Sequence, residues 1–238
     1  MKNKTAILIA HELKNYFHSA TAYVVLVVFL LITGWFFASP LFLVGQAELR
    51  SLFSTIPWIF LLFIPAITMG SITKEKTSGT LETLATLPLK ESQIVMGKYW
   101  AAVLLTLTGI IFTLVHLVTI VLLGSNIDYG AIFCGYLGLV MIGAVYSAIG
   151  IFTSSLTSNQ IVAFIVSFLF IFFFVIAEFI LIFLPGPLVE VFQYLSIGYH
   201  FSNISRGVID TRNVIYFLSL IILFLRLAVV TLESRKWK

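Results

Sequence analysis

Six long apolar segments limit what this chain can fold into more than any other feature of its sequence. Their approximate bounds are 21–38, 55–72, 99–123, 131–152, 161–184 and 214–232. A helix that crosses a bilayer needs about 20 mostly apolar residues, and a backbone in lipid must satisfy its hydrogen bonds within the helix. Only 10% of the 238 residues are charged, against about 25% in soluble domains. The sequence therefore predicts an all-α membrane protein with six transmembrane helices, in which residues 1–238 form a single domain.

Lysine and arginine are distributed unevenly between the two sides that these spans define. One side carries Lys2, Lys4, Lys14, Lys74, Lys76, Lys90, Lys98, Arg235, Lys236 and Lys238. The other side carries only Arg50, Arg206 and Arg212, and Arg226 lies inside the last span. Because cytoplasmic loops of membrane proteins collect Lys and Arg, we expect both termini to be cytoplasmic.

Before the first span, apolar and polar side chains recur with approximately helical spacing. The apolar ones are Ile7, Leu8, Leu13, Tyr16 and Phe17. The polar ones are His11, Glu12, Lys14 and Asn15. This pattern is typical of an amphipathic helix that lies in the membrane interface with its polar side away from lipid.

The segment 185–213, between the last two spans, is too apolar for a free loop. Its mixed polarity predicts helices half-buried at the outer surface, which Pro185 separates from the fifth span. We expect them to contribute to an outer gate or to contact a periplasmic partner. The candidate functional side chains of this segment are Glu190, Tyr199, His200, Arg206 and Asp210.

Three titratable side chains lie within the predicted spans, where charge is costly and often functional. Glu178 is a candidate for a substrate path or proton relay, or else it touches headgroup water or a neighbouring helix. His116 is a candidate of the same kind, or else a hydrogen-bonded core residue. Arg226 either extends toward the interface or pairs across a helix contact. So few charges argue against an ion-coupled transporter.

Enzymatic motifs are missing from the sequence. The stretch SQIVMGKY (92–99) ends like a phosphate-binding loop, but Ser92 replaces the first glycine and Tyr99 follows the lysine. No metalloprotease or nucleophile-elbow motif is present. Cys134 stands alone, which excludes a disulfide framework. We expect a non-catalytic chain with no bound cofactor, no metal and no nucleic-acid partner.

A polar stretch at residues 73–92 interrupts the apolar sequence on the basic side. Within it, Leu81, Leu84 and Leu87 recur with helical spacing, and Pro88 is placed to end the helix. On the opposite face lie Glu82, Thr83 and Thr86. An apolar face at this position needs a partner, which is either the membrane surface or another protein.

These residues resemble a known family. The stretch EKTSGTLETLATLPLKESQIVMGKYWA (75–101) resembles the first cytoplasmic loop of ABC-2 type transporter permeases. The matching residues are Glu75, Gly79, Thr80, Leu81, Glu82, Leu84, Pro88, Gly97 and Lys98. The start HELKNYFHSATAYVV (11–25) resembles the elbow helix of that family. The stretch YHFSNISRGVIDTRNVIYFLSL (199–220) resembles its gliding-motility-associated subgroup.

The resemblance implies the permease subunit of an ABC transporter in a bacterial inner membrane. It implies a second permease copy or a paralogue, and two cytoplasmic ATPase subunits that hold ATP and Mg²⁺. The implied coupling residues are Glu75, Gly79, Thr80, Leu81, Glu82, Leu84, Leu87 and Pro88. A periplasmic accessory protein is a further candidate partner.

Two interpretations follow from the resemblance. The first is a permease that exports or translocates a substrate, whose class (lipid, peptide, polysaccharide or metal-linked cargo) stays open on the sequence alone. The second is a non-transporting anchor or mechanotransmitter that couples the ATPase to a periplasmic partner. A continuous lateral or central path between two copies of the chain favours the first, and a closed interface between them favours the second.

Overall fold

The computed structural model describes residues 4–43, 45, 49–80, 89–123, 127–181 and 185–234. Within them the secondary structure is helical, with no strand. The helices are α1 (Lys4–His18), α2 (Ala20–Leu43), α3 (Arg50–Thr68), α4 (Thr73–Thr77), α5 (Glu91–Leu123), α6 (Tyr129–Leu156), α7 (Gln160–Ile180), α8 (Gly186–Leu195), α9 (Ile197–Ser205) and α10 (Thr211–Glu233).

Six of these helices are long and apolar enough to cross a membrane: α2, α3, α5, α6, α7 and α10, with α4 continuing from α3. They confirm the six predicted spans. Several run further than predicted because apolar length marks only the part of a helix that suits lipid. For example, α5 begins at Glu91, where the Gln93 side chain accepts a hydrogen bond from the Lys90 backbone N–H at 3.1 Å and caps the helix.

The six long helices alternate in direction and so define two ends of the bundle. The end where α3 and α6 finish and α5 and α7 begin is here called the basic end, because it carries Lys74, Lys76, Lys90 and Lys98. The opposite end, with α8 and α9, is called the far end.

Helix α6 is the most enclosed of the six and packs against α3, α5, α7, α9 and α10. Small residues make these contacts close. A Cβ added at Gly135 would collide with the Phe53 ring, and one at Gly150 would collide with the Thr68 side chain. Since lipid provides little hydrophobic drive for helix association, such close packing is what holds spanning helices together.

The N-terminal helix α1 packs along α5, and this contact changes the predicted assignment of its faces. Ile7 and Phe17 are exposed, whereas Leu8, Leu13 and Tyr16 are partly buried against the protein. Glu12, predicted to face away with the polar set, lies on the packed side and binds Lys98. The prediction was wrong for Glu12 because a buried cation far along the chain determines which face turns inward.

The segment between the last two spans folds into α8 and α9, which confirms the predicted helices there. Ser196 lies between them, and its hydroxyl accepts a hydrogen bond from the Tyr199 N–H at 3.2 Å, capping α9. Helix α9 packs against α6, α7 and α10, so this segment is part of the far end of the bundle.

Candidate functional sites at the two ends of the bundle

At the basic end, short helix α4 is hydrogen-bonded to the last turn of α6. The Ser154 hydroxyl oxygen accepts from the backbone N–H groups of Ile72 at 3.0 Å and Thr73 at 3.2 Å. The same hydroxyl donates to the Met69 carbonyl at 3.1 Å. One buried side chain therefore satisfies the first N–H groups of α4, which would otherwise have no partner.

The far side of α4 is tied to the turn between α6 and α7. The Thr77 hydroxyl lies 2.8 Å from the Ser158 carbonyl oxygen, and the Lys76 ammonium donates to the Ser155 carbonyl. Displacement of α4 therefore pulls on the α6–α7 turn as well as on α3.

A buried lysine joins three elements at the same end. Lys98 of α5 is 2% exposed, and its Nζ lies 2.8 Å from Glu12 Oε1 of α1 and 2.5 Å from Glu75 Oε1 of α4. We call Glu12, Glu75 and Lys98 the basic-end triad. The second oxygen of Glu75 is buried without a partner in the described part of the chain. Removing the lysine from such a group leaves buried carboxylates without compensation, which costs about 3–5 kcal/mol.

The neighbouring glycine allows this contact to form. A Cβ on Gly97 would lie 2.5 Å from the Leu8 Cδ2 atom, so only glycine lets α1 approach α5 this closely. Gly97 therefore allows α1 to pack closely on α5, and Lys98 pairs with the carboxylates of α1 and α4.

Tyr16 adds a third link from α1 to this end. Its hydroxyl lies 2.9 Å from Ser71 Oγ and 3.3 Å from the Ile67 carbonyl oxygen. Burial raises the pKa of the Tyr16 hydroxyl to about 12, so it stays protonated and able to donate at physiological pH.

The predicted coupling residues are only partly described. Glu75 belongs to the basic-end triad, and Thr80 Oγ1 lies 2.8 Å from Ser78 Oγ. Gly79 has φ of +71°, and a Cβ there would meet nothing within 4 Å. Its requirement for glycine is therefore conformational, in the left-handed region that other residues rarely adopt. Leu81, Glu82, Leu84, Leu87 and Pro88 lie outside the described residues.

At the far end, α3, α6, α7 and α9 enclose an open cavity of about 820 Å³. Apolar and aromatic side chains make up much of its wall, among them Phe53, Trp58 and Phe179. Four charged residues also line it: Arg50, Asp128, Glu178 and Arg206. Binding pockets for small molecules have this size and this mixture.

The two carboxylates of the cavity each lie at a helix N-terminus. Asp128 accepts a hydrogen bond from the Ala131 N–H at 3.1 Å and caps α6. Glu178 lies against Gly198 in the first turn of α9, where a Cβ would collide with its carboxylate. A helix N-terminus favours negative charge. Glu178, predicted as an intramembrane candidate, thus lies in the cavity wall where α7 packs against α9.

The two arginines that line the cavity form no ion pair with a described residue. Arg50 begins α3 and Arg206 follows α9, and both are exposed. Neither guanidinium is within ion-pairing distance of a carboxylate of the described residues. The cavity therefore presents two arginines to its contents.

Tyr146 lines the inner part of the cavity and was not among the residues predicted from the sequence. It is 0% exposed, and its hydroxyl has no hydrogen-bond partner among the described residues. Side chains of a helix tilt toward its N-terminus, so on α6 this ring points toward the far end. A buried hydroxyl without a hydrogen bond destabilises the folded state by about 1–3 kcal/mol. A tyrosine deep in a span, away from the interface where tyrosines collect, was the available signal.

The other predicted residues are distributed around the molecule. His116 stacks on Phe37, with ring centroids 4.5 Å apart, and Arg226 is exposed on α10. Neither lines the cavity with Glu178. Glu190 is exposed on α8.

Three predicted residues near α9 have structural contacts. His200 is buried, with ring nitrogens 2.7 Å from Asn213 Oδ1 and 3.1 Å from the Tyr194 carbonyl oxygen. Tyr199 packs edge-on against His200, and Asp210 caps α10 through the Arg212 N–H at 2.9 Å. Of the five candidates in this segment, Arg206 alone lines the cavity.

Metal chemistry finds no support in the part of the chain that the structure describes. No group of three or more His, Cys, Asp or Glu side chains there could hold a metal ion.

The fold and these two sites define a multi-pass helical membrane protein with a polar junction at one end and a cavity at the other. A family model described as ABC-2 family transporter protein matches residues 45–232. The chain belongs to this family, and so it is a membrane-embedded permease component of an ABC transport system. The match is to the family as a whole, and the gliding-motility subgroup stays a prediction. No curated protein matches the chain.

Proposed function

We propose that this chain is the permease half of an ATP-driven exporter, and that its basic end docks a separate cytoplasmic ATPase. The observation that carries the proposal is the anchoring of the two helices that flank residues 78–90. Helix α4 precedes this segment and is bonded to α6 through Ser154, and α5 follows it and is bonded to α1 and α4 through Lys98.

Force applied to this segment has a defined route into the bundle. Movement of α4 displaces the adjoining end of α3, the end of α6 and the α6–α7 turn. Hydrogen bonds join α4 to the end of α6 and to this turn. Movement of α5 carries α1 with it through the basic-end triad. Docking uses the apolar face that the sequence predicts for Leu81, Leu84 and Leu87, with Glu82 near the positive end of the predicted helix.

ATP and Mg²⁺ bind to the ATPase, since this chain carries no phosphate-binding loop. The assembly contains two such ATPases and a second permease copy or a paralogue. Both termini lie in the cytoplasm of a bacterium, because the basic end carries the excess of Lys and Arg.

The far-end cavity supports transport in preference to force transmission alone. A mechanotransmitter needs only a rigid bundle, whereas this bundle leaves about 820 Å³ open between α3, α6, α7 and α9. The cavity lies at the end opposite to the proposed docking site, which is the end at which an exporter releases its substrate.

Docking is tested by a charge placed on the apolar face. In detergent-purified complexes from native membranes, Leu84→Asp should remove the vanadate-sensitive ATP hydrolysis that accompanies the tagged chain. Thr83→Asp, on the opposite face of the same segment, is the matched control and should retain it. Full ATP hydrolysis with the Leu84→Asp chain would refute the docking assignment.

Orientation is tested with single cysteines in a Cys134→Ala background. Ser158 lies in the exposed turn between α6 and α7, and Val208 is 64% exposed between α9 and α10. Cysteines at these positions should react with an impermeant maleimide from opposite faces, Ser158→Cys only after the cytoplasmic face is opened. Labelling of both from one face would overturn the topology.

A further inference from the structure

We propose that the far-end cavity binds an amphiphile with one anionic head, a phosphate or a carboxylate, and a hydrogen-bond acceptor within its apolar body. The proposal rests on the proposed transport function for its physiological meaning, but binding itself is a property of this chain.

Charge in the cavity selects the head group. Asp128 caps α6 by accepting the Ala131 N–H, and Glu178 lies against Gly198 in the first turn of α9, a position that favours negative charge. Arg50 and Arg206 line the same cavity and have no carboxylate partner in the described residues. Guanidinium groups bind phosphate and carboxylate through paired N–H donors, so an anion is the complementary ligand.

The walls of the cavity select an apolar body. Phe53, Trp58 and Phe179 provide an apolar and aromatic wall, and Trp58 is 41% exposed. A volume of about 820 Å³ accommodates a drug-sized amphiphile and is far larger than an inorganic anion needs. A free phosphate would leave this surface uncovered.

Tyr146 selects an acceptor within that body. Its hydroxyl is buried, points toward the far end and lacks a partner among the described residues. An ester, amide or ether oxygen of the ligand would accept its proton, and a pure hydrocarbon chain would not.

Binding is measured on the full chain in phosphatidylcholine nanodiscs, with Trp58 as the single tryptophan. The probe is 9,10-dibromostearate, whose bromines quench nearby tryptophan, and its neutral methyl ester is the matched ligand. The acid should quench Trp58 saturably and the ester should not. A chain that keeps only Trp100, at the basic end, should show no saturable quenching.

Arginine variants test the head-group site. Arg50→Gln and Arg206→Gln should each weaken binding of the acid roughly tenfold, as expected for the loss of a charge-assisted hydrogen bond. Arg212→Gln is the control, because Arg212 is exposed at the same end and does not line the cavity. Equal quenching by acid and ester, or equal weakening by all three variants, would overturn the proposal.

Competition distinguishes the two anion sources and tests Tyr146. Octyl phosphate and nonanoate, which carry the two head groups on apolar chains of similar length, should displace the probe, and the more effective one identifies the head group. Dioctanoyl phosphatidic acid, which adds ester oxygens, should also displace it. Inorganic phosphate alone should not displace it, and displacement by phosphate would refute the need for an apolar body.

Tyr146→Phe should weaken binding of phosphatidic acid several-fold and leave binding of dibromostearate unchanged. Equal weakening of both would remove the acceptor from the proposal.

This measurement needs no ATPase. Failure of anion binding would remove the ligand class and leave the permease assignment in place. Failure of ATPase docking in the Leu84→Asp experiment would remove the proposed function and leave the binding site.

Discussion

The basic end and the far end of the bundle use the same kinds of side chain in opposite ways. At the basic end, Lys98 is buried between two carboxylates and the polar groups of α4 are bonded to α6. At the far end, the carboxylates lie at helix N-termini, and two arginines beside an open cavity have no carboxylate partner among the described residues. Paired charge fixes the relative positions of helices, whereas unpaired charge is available to a ligand. This difference is why we propose transmission of ATPase movement at the basic end and ligand binding at the far end.

The largest effect is expected at Lys98. Lys98→Met leaves Glu12 and Glu75 partly buried without a cation, and should lower the free energy of unfolding by about 3–5 kcal/mol. Thermal unfolding of the purified chain in detergent measures this loss. Lys90→Met, at an exposed lysine near the same helix start, is the control and should change stability by less than about 0.5 kcal/mol.

Removing the carboxylates as well sharpens this test. The triple variant with Glu12→Gln, Glu75→Gln and Lys98→Met should recover much of the lost stability, because no uncompensated charge remains. If Lys98→Met were as stable as Lys90→Met, the basic end would not depend on its triad.

A smaller effect is expected at Ser154. Ser154→Ala removes the acceptor for the Ile72 and Thr73 N–H groups and should cost about 1–2 kcal/mol. Hydrogen exchange at these two amides should accelerate markedly. Ser158→Ala is the control, since Ser158 contributes its backbone carbonyl to this junction. Unchanged protection of both amides in Ser154→Ala would show that α4 does not depend on α6.

The smallest effect on stability is expected at the far end. Arg50→Gln should change the free energy of unfolding by less than about 0.5 kcal/mol, because its guanidinium has no carboxylate partner in the described chain. The same thermal unfolding assay applies. A loss comparable to that of Lys98→Met would mean that Arg50 is structural and would remove the contrast between the two ends.

The sequence predicted the six spans because apolar length is a local property that lipid enforces on each segment separately. It misplaced Glu12 because the partner that turns this face inward, Lys98, lies 86 residues further along the chain. A helical pattern reports which residues share a face and does not report what that face meets.

The cavity depends on distant contacts in the same way. Glu178 was singled out from its charge within a span, but its position against Gly198 and near Arg206 requires α7 and α9 to pack together. The polar side chains His200 and Asp210 drew attention as functional candidates, and their contacts are a buried interhelical bond and a helix cap. A polar residue in an apolar chain is either part of a functional site or part of a structural contact, and only the tertiary structure shows which.

The central claim is that events at the basic end change the far-end cavity. Ser202 lines that cavity and is partly buried, so Ser202→Cys in a Cys134→Ala background reports access to it. In the complex with its ATPase, the rate of maleimide labelling should change several-fold between the ATP-free state and the state trapped with ATP, Mg²⁺ and vanadate. The change should vanish in Leu84→Asp. Equal labelling rates in the two states of a complex that hydrolyses ATP would contradict the account.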